Sequence, residues 1–103
     1  MTSLTKKETA MLQAFIQEGV DVCGFPGMAA DDLIYDNMTF LNANDLKETL
    51  GMNKQEIGGV MRALDSKGMI SDTCDSTRGL RINDWRATAE GIDWAFANNL
   101  AEI

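Results

Sequence analysis

Residues 44–68 read Asn44-Asp45-Leu46-Lys47-Glu48-Thr49-Leu50-Gly51-Met52-Asn53-Lys54-Gln55-Glu56-Ile57-Gly58-Gly59-Val60-Met61-Arg62-Ala63-Leu64-Asp65-Ser66-Lys67-Gly68. Leu46 and Leu50 stand at i, i+4, and either Asn42 or Asn44 serves as the cap of a short helix that carries them. Gly51-Met52 makes a tight turn. Asn53 and Glu56 then have the spacing of a capping box, in which a side chain at each end answers an orphan backbone N–H of the first turn. Ile57, Val60, Met61 and Leu64 follow at i, i+3, i+4, i+7, the stripe of a helix with one buried face. The spacing predicts this second helix over about 54–67, ended by Gly68 in the left-handed conformation that glycine adopts without strain.

Outward from this pair the signals continue. Thr5 and Glu8 form another capping box, and Met11, Leu12, Phe15 and Ile16 give an apolar face to a helix from about Lys6 to Glu18, with Gly19 as its stop. Residues 19–38 read as loop, with a short helix from Ala29 to Asp36 packed through Leu33 and Ile34 and a solvated face of acids. Met38-Thr39-Phe40-Leu41 is a short β-compatible run. After the central helix pair, Met69–Asp72 and Leu80–Asn83 are the arms of a β-hairpin, and Thr88 caps a last helix from Ala89 towards Leu100.

The chain has 103 residues, 45% hydrophobic and 24% charged, which fits one domain over 1–103 with a single core. No apolar run approaches the roughly 20 residues that span a bilayer. The N-terminus shows no signal peptide, so a cytoplasmic protein without a membrane partner is expected. Cys23 and Cys74 are far apart in sequence and form either a lone disulfide or, as a cytosolic protein favours, two free thiols. The chain contains no histidine, which removes the usual general base and the commonest metal ligand. No phosphate-cradling glycine motif is present, because Gly24-Phe25-Pro26-Gly27 lacks the lysine and spacing of one. Neither catalysis nor a metal nor a cofactor is expected.

The formal net charge is −7, from 9 basic and 16 acidic residues. Its distribution is uneven: residues 1–46 hold two lysines against seven acids, a net of −5, whereas residues 47–86 hold seven basic residues against six acids, a net of +1. The positive charge is therefore concentrated around the helix pair and the hairpin.

Helix, short strand, helix, tight turn, helix and hairpin is an order that resembles the winged helix-turn-helix superfamily, and most closely small regulators of the multiple-antibiotic-resistance (MarR-like) type. Residues 44–54 look like the family's second helix and turn. Gly59–Ile70 looks like the end of its recognition helix running into the wing, and Trp85–Gly91 is similar to the step after the wing. The resemblance implies a mainly α fold with a small β-hairpin wing (α+β). The helix-turn-helix would lie at about 43–67, the wing at about 69–83 and the C-terminal helix at about 89–101. It also implies a transcriptional regulator that binds double-stranded DNA, with the helix at 54–67 in the major groove and the wing on the backbone or minor groove.

Helix geometry names the side chains for that role. With Ile57, Val60, Met61 and Leu64 inward, Gln55, Gly59, Arg62 and Ser66 face outward. Glutamine suits adenine and arginine suits guanine in two-bond major-groove contacts. Lys54 and Lys67 at the helix ends, and Arg78 and Arg81 in the wing, are expected on the DNA backbone. Gly58 and Gly59 have two readings, close approach of the helix to DNA or close packing on the preceding helix, and the packing account fits Gly58 better. On the last helix, Trp94, Ala97 and Ala101 lie away from the stripe of Ile92, Phe96, Leu100 and Ile103. They form either a homodimer face or, for Trp94, a contact under the 19–38 loop. The alternative to a regulator is an acidic winged-helix module that binds a protein partner, or an inhibitor that occupies a DNA-binding groove; the charge of −7 favours it.

Overall fold

The computed structural model describes residues 3–25, 27–36, 39–72 and 84–100. Among these, five helices and a three-stranded antiparallel sheet make an α+β fold, in the order α1 (Lys6–Cys23), α2 (Ala30–Asp36), β1 (Phe40–Asn42), α3 (Ala43–Leu50), α4 (Lys54–Ser66), β2 (Ile70–Asp72), β3 (Asp84–Ala87) and α5 (Ala89–Ala97). The sheet order is β1-β3-β2. Arg86 pairs with Phe40 on one side and Ser71 on the other, so β3 is the central strand.

Helix α1 starts as its sequence requires. The Thr5 hydroxyl accepts from the Glu8 N–H, and the Glu8 carboxylate accepts from the Thr5 N–H at 2.8 Å. Met11, Leu12, Phe15 and Ile16 are fully buried, and with Leu33, Leu46, Leu64, Ile70 and Ile92 they form one core. The helix does not stop at Gly19, however. It runs on to Cys23, and Val20 is buried. Gly19 serves contact instead of termination: a Cβ there would meet Thr39 Cγ2 at 2.5 Å and Leu33 Cδ1 at 2.8 Å. The missing side chain lets α1 lie against α2 and the approach to β1. Thr39, also fully buried, accepts from the Ala87 N–H through its hydroxyl at 3.0 Å and so continues the β1–β3 ladder by a side chain.

Helix α4 is bounded by the signals its sequence carries. The Asn53 side chain accepts from the Glu56 N–H, and Ile57, Met61 and Leu64 are buried. At the other end Gly68 has φ 77°, with the Gly68 N–H donating to the Asp65 carbonyl and the Met69 N–H to the Leu64 carbonyl. These two bonds define a Schellman closure, with buried Met69 and Leu64 as its apolar contact. The turn is then clamped to α5: the Thr88 hydroxyl donates to the Gly68 carbonyl at 2.6 Å and accepts from the Gly91 N–H at 3.0 Å.

Two boundaries differ from expectation at the C-terminal side. The strand opposite β2 is Asp84–Ala87, residues expected to lie beyond the wing, while the expected return strand 80–83 falls outside the described residues. Helix α5 ends at Ala97, short of Leu100, because Asn99 takes φ 59° and the Leu100 N–H turns back to the Ala95 carbonyl. Asparagine is among the few residues other than glycine that enter this region readily.

Candidate nucleic-acid interface

Burying Ile57, Met61 and Leu64 leaves the other side of α4 to solvent. Gln55, Gly58, Gly59, Arg62 and Ser66 are all exposed, and so is Lys54 in the first turn. The structure thus brings together four of the expected side-chain positions on one helical face. Arg62 and Lys54 make no hydrogen bond or ion pair among the described residues, which leaves their donors available. A guanidinium with five donors and a carboxamide with both donor and acceptor can each form paired hydrogen bonds to planar polar groups.

The glycines on this face are the unusual feature. In a helix interior each costs about 0.8–1 kcal/mol relative to alanine. A Cβ built on Gly58 or on Gly59 meets nothing within 4 Å. Close packing of Gly58 against the preceding helix, the reading that its position favoured, is therefore incorrect: α3 does not approach it. The glycines leave a strip of bare helix backbone between Gln55 and Arg62.

One of the two acids on α4, Glu56, is occupied elsewhere. The Glu56 carboxylate binds Lys7 Nζ at 2.9 Å. Lys7, and then the backbone N–H of Asn53, hold its carboxyl below the usual range. Asp65 is exposed on α4 and remains near this surface in sequence.

Lys67 does not belong with the free cations. Its Nζ donates to the Glu8 carboxylate at 2.6 Å and to the Ser3 carbonyl at 2.9 Å. The Glu8 side chain is almost fully buried, so the ammonium is needed to neutralise it. Lys67 is a fastener between α1 and the end of α4, in place of the phosphate contact expected of it. The Lys67 ammonium, followed by the Thr5 backbone N–H, keeps the Glu8 carboxyl below its ordinary value despite burial.

Lys47 was not among the expected site residues. It is exposed on α3, and with Asn44, Lys54 and Ile57 it lines a cleft of about 150 Å3 between α3 and the start of α4. Lys47 has no hydrogen-bond or ion-pair partner among the described residues. The signal was present in the inward pair of Leu46, buried, and Leu50, half-buried, which turns Lys47 outward beside the turn.

Arg78 and Arg81, the expected wing contacts, lie outside the described residues, as does Ala101. Of the remaining dimer candidates, Ala97 is exposed, whereas Trp94 is half-buried and packs against the core. The large exposed indole expected from the helical spacing is therefore reduced to an edge. Among the described residues no cluster of cysteine and acidic side chains is arranged to hold a metal ion. No helix among them is long and apolar enough to cross a membrane.

No protein-family model matches the chain, and comparison with curated proteins and with solved structures gives no match.

Proposed function

We propose that the chain is a winged helix-turn-helix module, of the MarR-like type, that binds double-stranded DNA in a sequence-dependent way as a small transcriptional regulator. The observation that carries this reading is the exposed face of α4. Two glycines there cost the helix stability and meet no other group among the described residues, and they are flanked by Gln55 and by Arg62, which has no partner among the described residues. A bare backbone strip lets a helix sit deep against base edges, while Gln55, Arg62 and Ser66 supply readout. Lys47 and Lys54 at the cleft beside the α4 start, with Arg78 and Arg81 from the segment between β2 and β3, contribute the phosphate contacts. The order α3, tight turn, α4, β2, β3 supports the same reading, because it sets the strands directly after the outward helix.

The test is selection from a random duplex library, followed by titration of the winning sequence at two salt concentrations. An enriched motif whose affinity falls as salt rises supports the proposal, and the slope counts neutralised phosphates. A palindromic motif would mean two copies on one site. Absence of enrichment and of binding at low salt would overturn it in favour of the acidic protein-binding module, which the net charge of −7 favours.

A further inference from the structure

Where β3 runs into α5, a cavity of about 280 Å3 lies between the sheet, α2 and α5. Its apolar lining is Ile34 of α2 with Ala87, Ala89 and Ile92. Its polar lining is Ser71, Arg86 and Thr88. Strand alternation explains the arginine. Ala87 is buried and pairs with buried Ile70, so their face of the sheet is turned to the core. Ser71 and Arg86 pair directly across the same ladder and lie on the other face, with Cβ atoms about 4.5–5.5 Å apart.

The polar groups differ in how far they are committed. The Thr88 hydroxyl is taken, donating to the Gly68 carbonyl and accepting from the Gly91 N–H. The Arg86 side chain is half-buried, and neither it nor the Ser71 hydroxyl has a hydrogen-bond or ion-pair partner among the described residues. None of the described lining residues is acidic. Glu90, the acid in the first turn of α5, does not line the cavity, and its carboxylate lies beside Gly68. A cation and a hydroxyl set against aliphatic side chains suit an anionic head on an apolar body. One guanidinium matches the single charge of a planar carboxylate, which it holds by two parallel hydrogen bonds, whereas a phosphate monoester brings nearly two charges. Volume limits the body. Benzene, with six carbons, fits a cavity of about 150 Å3, so one of about 280 Å3 takes about ten heavy atoms. No aromatic side chain is among the described lining residues to stack on a ring.

We propose that this cavity binds a small aliphatic carboxylate, a monoacid of about six to eight carbons. Arg86 and Ser71 hold the carboxylate, and Ile34, Ala87 and Ile92 take the hydrocarbon chain. None of Gln55, Arg62 and Ser66 lines the cavity. Binding there is therefore separate from the outward face of α4 and does not depend on the DNA reading.

The probe is octanoate, titrated into the full chain and followed by calorimetry and backbone amide shifts. Octanol, which lacks the charge, and acetate, which lacks the chain, are titrated beside it. Octanoate is expected to shift residues of β2, β3 and the first turn of α5, and to bind at least about tenfold more tightly than either control. Arg86→Gln removes the cation and is expected to weaken octanoate by about tenfold or more. Ala89→Leu, at an exposed position of the lining, keeps the cation and fills the space instead. It is expected to weaken octanoate by a similar factor, and it decides the matter even where Arg86→Gln disturbs the central strand. No octanoate binding, octanol bound as tightly as octanoate, parental affinity in Ala89→Leu or in a folded Arg86→Gln, or shifts confined to other surfaces would each overturn the proposal.

Discussion

Helices α5 and α4 both contain interior glycines, and the two helices use them in opposite ways. Gly91 lies in the first turn of α5, fully enclosed, and a Cβ there would run into the carbonyl of Met69. Gly58 and Gly59 lie in the first half of α4 and would accept a Cβ into open space. The glycine of α5 lets two backbones touch, which is how Thr88 reaches the Gly68 carbonyl and fastens α5 to the turn after α4. The pair in α4 contributes no such contact among the described residues. An identical residue in an identical type of element is explained by packing in one case, and in the other by the proposed contact with DNA.

The comparison predicts opposite signs for one kind of substitution. Gly91→Ala should have the largest effect, because the methyl group meets backbone that cannot move without breaking the α4–α5 junction. A loss of at least about 3 kcal/mol in chemical denaturation is expected. Gly19→Ala should cost less, about 1–3 kcal/mol, because Thr39 and Leu33 present side chains that can shift. If either variant proved as stable as the parent, the close approaches described for α1 and α5 would be wrong.

The outward face of α4 is probed next by Arg62→Ala. Loss of a paired arginine contact should weaken binding to the selected duplex by about 1–3 kcal/mol and relax the preference at one base position. The melting temperature should be unchanged, since Arg62 is exposed and forms no ion pair among the described residues. Unaltered affinity would remove Arg62 from the interface.

A subtler contrast lies between the two lysines fastening α1 to α4. Lys7 meets a carboxylate that is substantially exposed, whereas Lys67 meets the nearly buried Glu8. Because the Glu8 carboxyl titrates below its ordinary value near 4.5 in the folded chain, its contribution is present above that value. It is lost as pH falls through the lowered folded value. Glu8→Gln should therefore flatten the decline of stability on the acid side, below about pH 4.5. An acid limb unchanged from the parent would show that the Glu8–Lys67 pair contributes nothing to folding.

Much of the fold was legible because its signals are local. Thr5, Asn53 and Thr88 are read as caps from spacing alone, and all three cap as expected. The same holds for Gly68, whose place after an apolar stripe marks it as a helix end. Gly19 defeats that rule. Its reason is a contact with Thr39, twenty residues away in sequence, and no local pattern announces it. The central strand is similar, since Asp84–Ala87 is defined by its two partners more than by its own residues. At the candidate site, helical periodicity sufficed to turn Gln55, Gly59, Arg62 and Ser66 outward. It could not reveal that Lys67 is committed to Glu8, because that carboxylate comes from the far end of the chain's first half.

The most direct test of the central claim is the double substitution Gly58→Ala/Gly59→Ala, measured for thermal stability and for affinity to the selected duplex in parallel. Alanine should stabilise the exposed helix by about 1 kcal/mol at each site, raising the melting temperature by roughly 4–8 °C per kcal/mol in a domain of this size. Affinity should fall by about tenfold or more as the methyl groups hold the helix off the bases. A more stable protein that binds duplex as tightly as its parent would contradict the account, because the glycines would then serve neither the fold nor the partner.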